Sequence, residues 1–258
     1  MMQLSRDGLR EIVLSTAILG TAGLAAVWAA FAVSSWAWLA AVPLLAAWLG
    51  SLAFFRDPER DIPGQAGLLV SPADGTVTEI RSVERYDGID GPALRIGIFL
   101  SLFDVHVNRA PCSGRVLKTE YRPGRFLDAR HPESGLQNEA NTITIQPESG
   151  TAGPIILRQI TGLIARRIVC HLGPGDTIRR GQRIGLLKFG SRTELIVPAK
   201  DSWEPAVRLG DHVCGGSTIL MQLAANPRQG DADRRGGLLR RPVTGSTALL
   251  DQEPLTKD

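Results

Sequence analysis

The sequence predicts a mainly β domain preceded by an N-terminal hydrophobic helical hairpin. Three observations lead there. Residues 12–55 carry no charged side chain. From Arg56 onward, short β-branched runs alternate with Gly, Pro and Asp turns, and no long apolar stripe of helical period appears. A seven-residue pattern, Gly-Asp-x-(Ile/Val)-x-x-Gly, occurs twice, at 175–181 and 210–216.

The hairpin comes first. Residues 12–33 form an uncharged run of about 22 residues, which as a helix would extend roughly 33 Å, enough to cross a bilayer core. Ser34 and Ser35 separate it from a second run, 36–55, which contains Pro43. Arg6 and Arg10 flank the start, and Arg56 and Arg60 the end. The positive-inside rule then puts both ends on the cytoplasmic side of the cell membrane, with Trp36, Trp38 and Trp48 as interfacial anchors. A signal peptide is the competing reading of the first run, but the run is long for one and a second follows at once. Whether the hairpin spans the bilayer or is re-entrant stays open.

Residues 56–225 read as one β-rich domain, with strands expected at 67–70, 75–83, 94–100, 114–121, 141–146, 155–161, 167–171, 183–189, 193–197 and 218–223, and at most a short helix or two. Each copy of the repeated pattern reads as a tight turn between short strands, with glycines where a positive φ is needed. Repeats of this kind resemble the barrel-sandwich hybrid of biotinyl and lipoyl carrier domains, so a barrel-sandwich-hybrid-like body is expected. Residues 226–258, rich in Arg, Gly and Asp, read as a disordered tail.

Composition removes several function classes. A formal net charge of +3 with 5% aromatics and no dense basic block argues against nucleic-acid binding. Cys112, Cys170 and Cys214 are far apart and odd in number, which fits neither a disulfide framework nor a zinc site. The four histidines are too scattered for a zinc peptidase. A membrane-tethered, non-enzymatic carrier or adaptor module is the main alternative to an enzyme. A carrier would need a lysine at a hairpin tip, whereas Lys118 falls within an expected strand and Lys188 and Lys200 lack the usual flanking residues.

On its own, the segment from Val213 to Leu220 is a glycine turn feeding a last strand. Its context says more. Phe54-Phe55-Arg56-Asp57-Pro58-Glu59-Arg60, Ser71-Pro72-Ala73-Asp74-Gly75, the run from Phe99 to Pro111, Asn138-Glu139-Ala140-Asn141, Ile164-Ala165-Arg166-Arg167-Ile168 and Gly215-Gly216-Ser217-Thr218 follow in order. Together they resemble the short, single-domain form of the phosphatidylserine decarboxylase family. The resemblance implies self-cleavage between Gly216 and Ser217, with Ser217 becoming a pyruvoyl cofactor and no metal needed. It implies a Schiff base between that group and the serine head group, loss of carbon dioxide, and phosphatidylethanolamine as product. The two fragments are then expected to stay associated, working on phosphatidylserine at an anionic membrane surface. Pairing of two copies is left open.

Serine needs a base, and the family's Asp–His pair maps onto Asp74 and His106. Other members carry a second histidine where this chain has Arg109, which stays protonated and cannot serve as a base. The self-cleavage base is therefore open between residues. Arg109 is a candidate for the substrate's phosphate or carboxylate, as are Arg166 and Arg167 for the anionic lipid surface. His212, five residues before Ser217, is a further candidate for processing.

Overall fold

A computed structural model describes residues 3–131, 133–148, 153–163, 167–188, 190–201 and 203–224. Arg166 and the expected tail at 226–258 lie outside these residues.

The chain opens with two antiparallel helices, Arg6–Ala32 and Ser35–Phe54, each long and apolar enough to cross a membrane. Small residues let them meet. Ala41 is fully buried, and a Cβ on Gly23 would come within 2.8 Å of the Leu45 side chain. Trp48 Nε1 donates to Thr16 Oγ1 (3.1 Å) and Ser51 Oγ to Ser15 Oγ (2.9 Å), polar links that lipid would not weaken by competition. Leu14, Ile18, Leu24, Trp28, Phe31, Trp36, Leu39 and Leu49 all face outward. So much exposed apolar surface fits a membrane environment. The hairpin expected from the sequence is thus present, turning at Val33 and Ser34.

The base of the hairpin is seated on the β body. Ile12, Phe54 and Phe55 pack with Val105, Val107 and Leu186. Ser5 N–H donates to Phe55 O and Asp57 N–H to Gln3 O (both 2.8 Å). Asp7 meets His171 Nε2 at 2.7 Å, and Glu11 pairs with Lys188.

Fourteen strands follow among the described residues: β1 (Leu68–Val70), β2 (Gly75–Val83), β3 (Ala93–Leu100), β4 (Val107–Arg109), β5 (Gly114–Arg122), β6 (Ala140–Pro147), β7 (Ile155–Ile160), β8 (Ile168–Cys170), β9 (Thr177–Ile178), β10 (Arg183–Leu187), β11 (Ser191–Pro198), β12 (Trp203–Pro205), β13 (His212–Val213) and β14 (Ile219–Leu223). The body is mainly β, and all ten expected strands are found. The four that went unread, β4, β9, β12 and β13, have two or three residues each, too few to show a period. Eight strands form one antiparallel sheet in the order β13-β2-β3-β11-β7-β6-β5-β9, with small sheets β1-β14-β12 and β4-β10-β8 beside it. Ile96, Ile98, Ile143, Ile145, Ile155, Leu157, Leu195 and Val197 alternate inward to make the core.

The repeated Gly-Asp pattern marks the two ends of the large sheet. β9 pairs with the start of β5, and β13 with the start of β2. Val116 N–H donates to Asp176 O and Val116 O accepts from Gly175 N–H; Val77 does the same with Asp211 and Gly210. The repeat is larger than the sequence pattern suggested. Residues 68–83 and 107–122 match as short strand, proline turn and long strand. Pro72 answers Pro111, Gly75 answers Gly114, and both long strands shift register just after the equivalent valines Val77 and Val116. The body is therefore built from two related halves. In that correspondence Gly216 and Ser217 occupy the places of Gly181 and Gln182, and Asp74 that of Ser113.

Candidate processing and active site

The turn at 214–218 links β13 to β14. Ser217 and Thr218 N–H groups both donate to Cys214 O (3.2 and 3.0 Å), and Thr218 Oγ1 accepts from Cys214 N–H (2.9 Å). Gly216 sits at φ +84, a region side chains resist. A Cβ there would also come 2.9 Å from Arg109 Cδ and 3.0 Å from Ile62 Cδ1. The positive φ favours glycine at this position, and any side chain there would also have to displace Arg109 and Ile62.

The β1–β2 loop grips the turn on both sides of the 216–217 peptide. Ser71 O accepts from Gly216 N–H, and Ser71 N–H donates to Thr218 O (both 2.8 Å). Asp74 Oδ1 accepts from Gly215 N–H at 2.7 Å, and its Oδ2 meets Arg60 at 2.6 Å. The other half of the fold supplies a built-in comparison. There Ser113 Oγ accepts from Arg180 N–H at 3.1 Å, and Gly181 N–H donates to Ala110 O. The turn thus needs a side-chain acceptor, and a hydroxyl suffices. Asp74 adds a negative charge where the fold alone asks for none. Burial pushes the Asp74 carboxyl above its ordinary value, against the Gly215 N–H and Arg60, while the nearby Asp104 charge pushes it up further. A carboxylate so raised is a better proton acceptor than an exposed one.

Arg109 reaches the same turn from β4. Its guanidinium donates to Gly181 O (3.1 Å), Asp57 Oδ1 and Pro58 O (both 2.9 Å). Asp57 also pairs with Arg183. Arg109 therefore packs its stem on Gly216 while its head ties the 57–58 segment to Gly181; binding substrate would require those bonds to open.

Beneath the loop runs a buried amide chain. Asn141 Nδ2 donates to Gln159 Oε1 (3.0 Å), Gln159 Nε2 to Asn108 Oδ1 (2.8 Å), and Asn108 Nδ2 to Pro72 O and Thr193 Oγ1 (both 3.3 Å). A satisfied buried network of this kind fixes geometry. Here it supports the proline turn that carries Asp74.

His106 lies in a second group of residues. It is fully buried against the Phe54 ring (centroids 4.3 Å apart). Its Nδ1 is 2.9 Å from Asp104 O, and Gly190 N–H points at its Nε2 (3.3 Å), which fits the neutral tautomer with the proton on Nδ1. Burial pulls its pKa down to about 4. Asp104 in turn accepts from His212 Nε2 (2.9 Å) and from Ser101 N–H and Oγ. Burial acts to raise the Asp104 carboxyl, but these hydrogen bonds outweigh it and hold it below the usual range. His106 is thus linked to the turn through Asp104 and His212, whose strand β13 leads into Gly215. Asp104 and Asp57 were not singled out from the sequence, and Arg60 was read only as a flank of the hairpin, although all three lie inside segments that carried the resemblance. Arg167 is exposed just before β8.

The low His106 pKa gives a stability prediction. A base depressed on folding contributes stability above its unfolded value of 6.5, and that contribution is lost as pH falls from 6.5 towards about 4. The displacement corresponds to roughly 3 kcal/mol, with about 2 kcal/mol of it gone by pH ~5. His106→Gln, which cannot titrate, is expected to be less stable than wild type at pH ~7.5, with the gap narrowing by about that amount at pH ~5. Denaturant titrations at the two pH values read it; parallel losses in both proteins would remove His106 as the acid-sensitive group.

Fold and site together define a class: a β domain seated under a membrane-type helical pair, with ionisable groups gathered on one of two related glycine turns. Residues 51–221 match the family model described as phosphatidylserine decarboxylase. The phosphatidylserine decarboxylase proenzyme of Rhodopirellula baltica is 43% identical over 222 residues, covering 83% of this chain and 86% of the relative. That of Desulfotalea psychrophila is 46% identical over 173 residues, covering 67% and 79%. That of Symbiobacterium thermophilum is 46% identical over 185 residues, covering 72% and 82%. The chain belongs to the phosphatidylserine decarboxylase family.

Proposed function

We propose that this chain is made as a proenzyme, cuts itself between Gly216 and Ser217, and then converts phosphatidylserine to phosphatidylethanolamine and carbon dioxide. Family membership supports the reaction, and the description of its relatives as proenzymes supports the cut. The observation that carries the location is the asymmetry between the two halves: a charged acceptor, two adjacent glycines and a hydroxyl coincide at 215–217 and at no equivalent point around Gly181.

In this reading Asp74 takes up the Ser217 hydroxyl proton as Oγ attacks the Gly216 carbonyl carbon. The C–N bond breaks, the proton passes to the leaving nitrogen, and an ester replaces the amide. Removal of the α-proton of residue 217 then expels the Gly216 carboxylate and leaves dehydroalanine. Tautomerisation and attack by water release ammonia and leave a pyruvoyl group. Glycine at 216 leaves the carbonyl carbon that is attacked without a Cβ of its own beside it. Once formed, the pyruvoyl group supplies the carbonyl that accepts the electrons freed as carbon dioxide departs. His106, neutral at physiological pH, is the second proton carrier, and its Nε2 must release the Gly190 N–H to act. After cutting, the small fragment stays in place through β14, which pairs with β1 and β12. Residues 1–55 anchor the 56–225 body at the membrane, with Arg6, Arg10, Arg56 and Arg60 at the hairpin base favouring the cytoplasmic face and Arg167 available to anionic lipid.

The test is a denaturing gel with intact-mass measurement of the expressed chain. The expected result is two fragments, the smaller beginning at position 217 and lighter than its sequence by one ammonia. A single chain with an ordinary 216–217 peptide would end the proposal.

A further inference from the structure

The turn from Ser101 to Asp104 holds two apolar side chains out into solvent. Phe103 is 86% exposed and Leu102 45%. The turn does not owe this to looseness. Asp104 N–H donates to Ser101 O (3.1 Å), and Asp104 Oδ2 accepts from both Ser101 N–H (2.8 Å) and Ser101 Oγ (2.7 Å). The closed ring leaves Leu102 and Phe103 at the tip. Arg56 fixes where that tip lies. Its guanidinium donates to Phe103 O and to Ala53 O in the last turn of the second hydrophobic helix. The tip is therefore tied to the helix end, at the level where the apolar hairpin gives way to the β body, with an arginine between them. Aromatic and leucine side chains beside a cation are the composition that settles at a bilayer's headgroup boundary.

We infer that Leu102 and Phe103 form a lipid-docking tip that dips into the membrane surface next to the hairpin. The argument rests on continuity with the hairpin's outward apolar faces, and its consequence rests on the reading of the substrate as a membrane lipid. The tip side chains lie outside the site but adjoin it through Asp104. Asp104 receives His212 through its carboxylate and His106 through its carbonyl, so insertion brings the exposed His212 side of that group towards the lipid headgroups. A second copy of the chain covering the same patch is the competing occupant.

Two measurements test this. In the first, Phe103→Trp is reconstituted into phosphatidylcholine bilayers with acyl chains brominated near the headgroup, and wild type supplies the background from its native tryptophans. The added emission is expected to be quenched at least twofold relative to unbrominated bilayers. If the introduced indole stays unquenched, as a protein–protein contact or free solvent exposure would leave it, the inference is overturned. In the second, Leu102→Ser/Phe103→Ser is assayed on phosphatidylserine in phosphatidylcholine vesicles and on a short-chain phosphatidylserine below its micelle concentration. The expected result is a KM, in surface mole fraction, raised about fivefold or more on vesicles, with kcat and the rate on the soluble lipid near wild type. Equal loss on both substrates, or none on either, overturns it. Should wild type show no decarboxylation, the proposed function fails while the quenching arm still decides the lipid contact.

Discussion

Replacing Ser217 by alanine is expected to yield a single uncut chain of 258 residues with no decarboxylase activity. The fold gives no reason for that variant to be unstable. The hydrogen bonds that shape the turn run through Cys214 O, the backbone N–H groups of 216–218 and Thr218 Oγ1. The equivalent place in the other half is held by Gln182, so this turn forms around a side chain that is no nucleophile. Half-buried, the lost hydroxyl should change stability by about 0.5 kcal/mol or less. The loss of cutting, by contrast, is complete, because no neighbouring atom can replace Oγ in forming the ester. A gel, an intact mass and a carbon dioxide release assay read the three parts of the expectation. A Ser217→Ala chain that still separates into two fragments at this bond would refute the nucleophile, and one that decarboxylates while uncut would refute the need for the cut.

How much of this was legible beforehand depended on length and on locality. The hairpin declared itself because more than forty consecutive uncharged residues have few other uses. The long strands declared themselves because β-branched residues and turn signals recur over enough positions to be read. β9 and β13 did not, yet their glycines did, since positive φ leaves a local mark in sequence while pairing to a distant strand leaves none. The candidate site divided the same way. Gly216, Ser217 and Asp74 sit in short motifs whose residues touch one another across a single loop contact. The Arg60–Asp74 pair, the Arg109–Asp57 tie and the His212–Asp104 bond join segments 14, 52 and 108 residues apart. No spacing rule connects such partners; only the folded chain brings them together. Folding also clarifies Arg109. From the sequence it looked like a histidine replaced. In the fold it is the group whose stem closes the back of Gly216.

The two halves also supply the sharpest test of Asp74. Asp74→Ser is expected to fold, because Ser113 already performs the turn-capping task in the equivalent position, accepting the Arg180 N–H at 3.1 Å. The substitution keeps a side-chain oxygen as acceptor for Gly215 N–H, one bond shorter, and removes the charge, the carboxyl carbon and the second oxygen. It does strand Arg60, whose side chain is 16% exposed and so has a path to water; the cost is about 1–3 kcal/mol. Asp74→Ser with Arg60→Gln removes that stranded charge and isolates the carboxylate's chemical part. Cutting in both variants is expected to slow by about 10²–10⁴-fold, the range for loss of a positioned acid–base group. Time courses of fragment appearance on a gel measure it, with a thermal melt confirming the fold. If both variants cut at wild-type speed, Asp74 is a turn residue like Ser113 and the proton from Ser217 goes elsewhere. If they fold and stay whole, the charge that distinguishes one half of this fold from the other is what makes its glycine turn reactive.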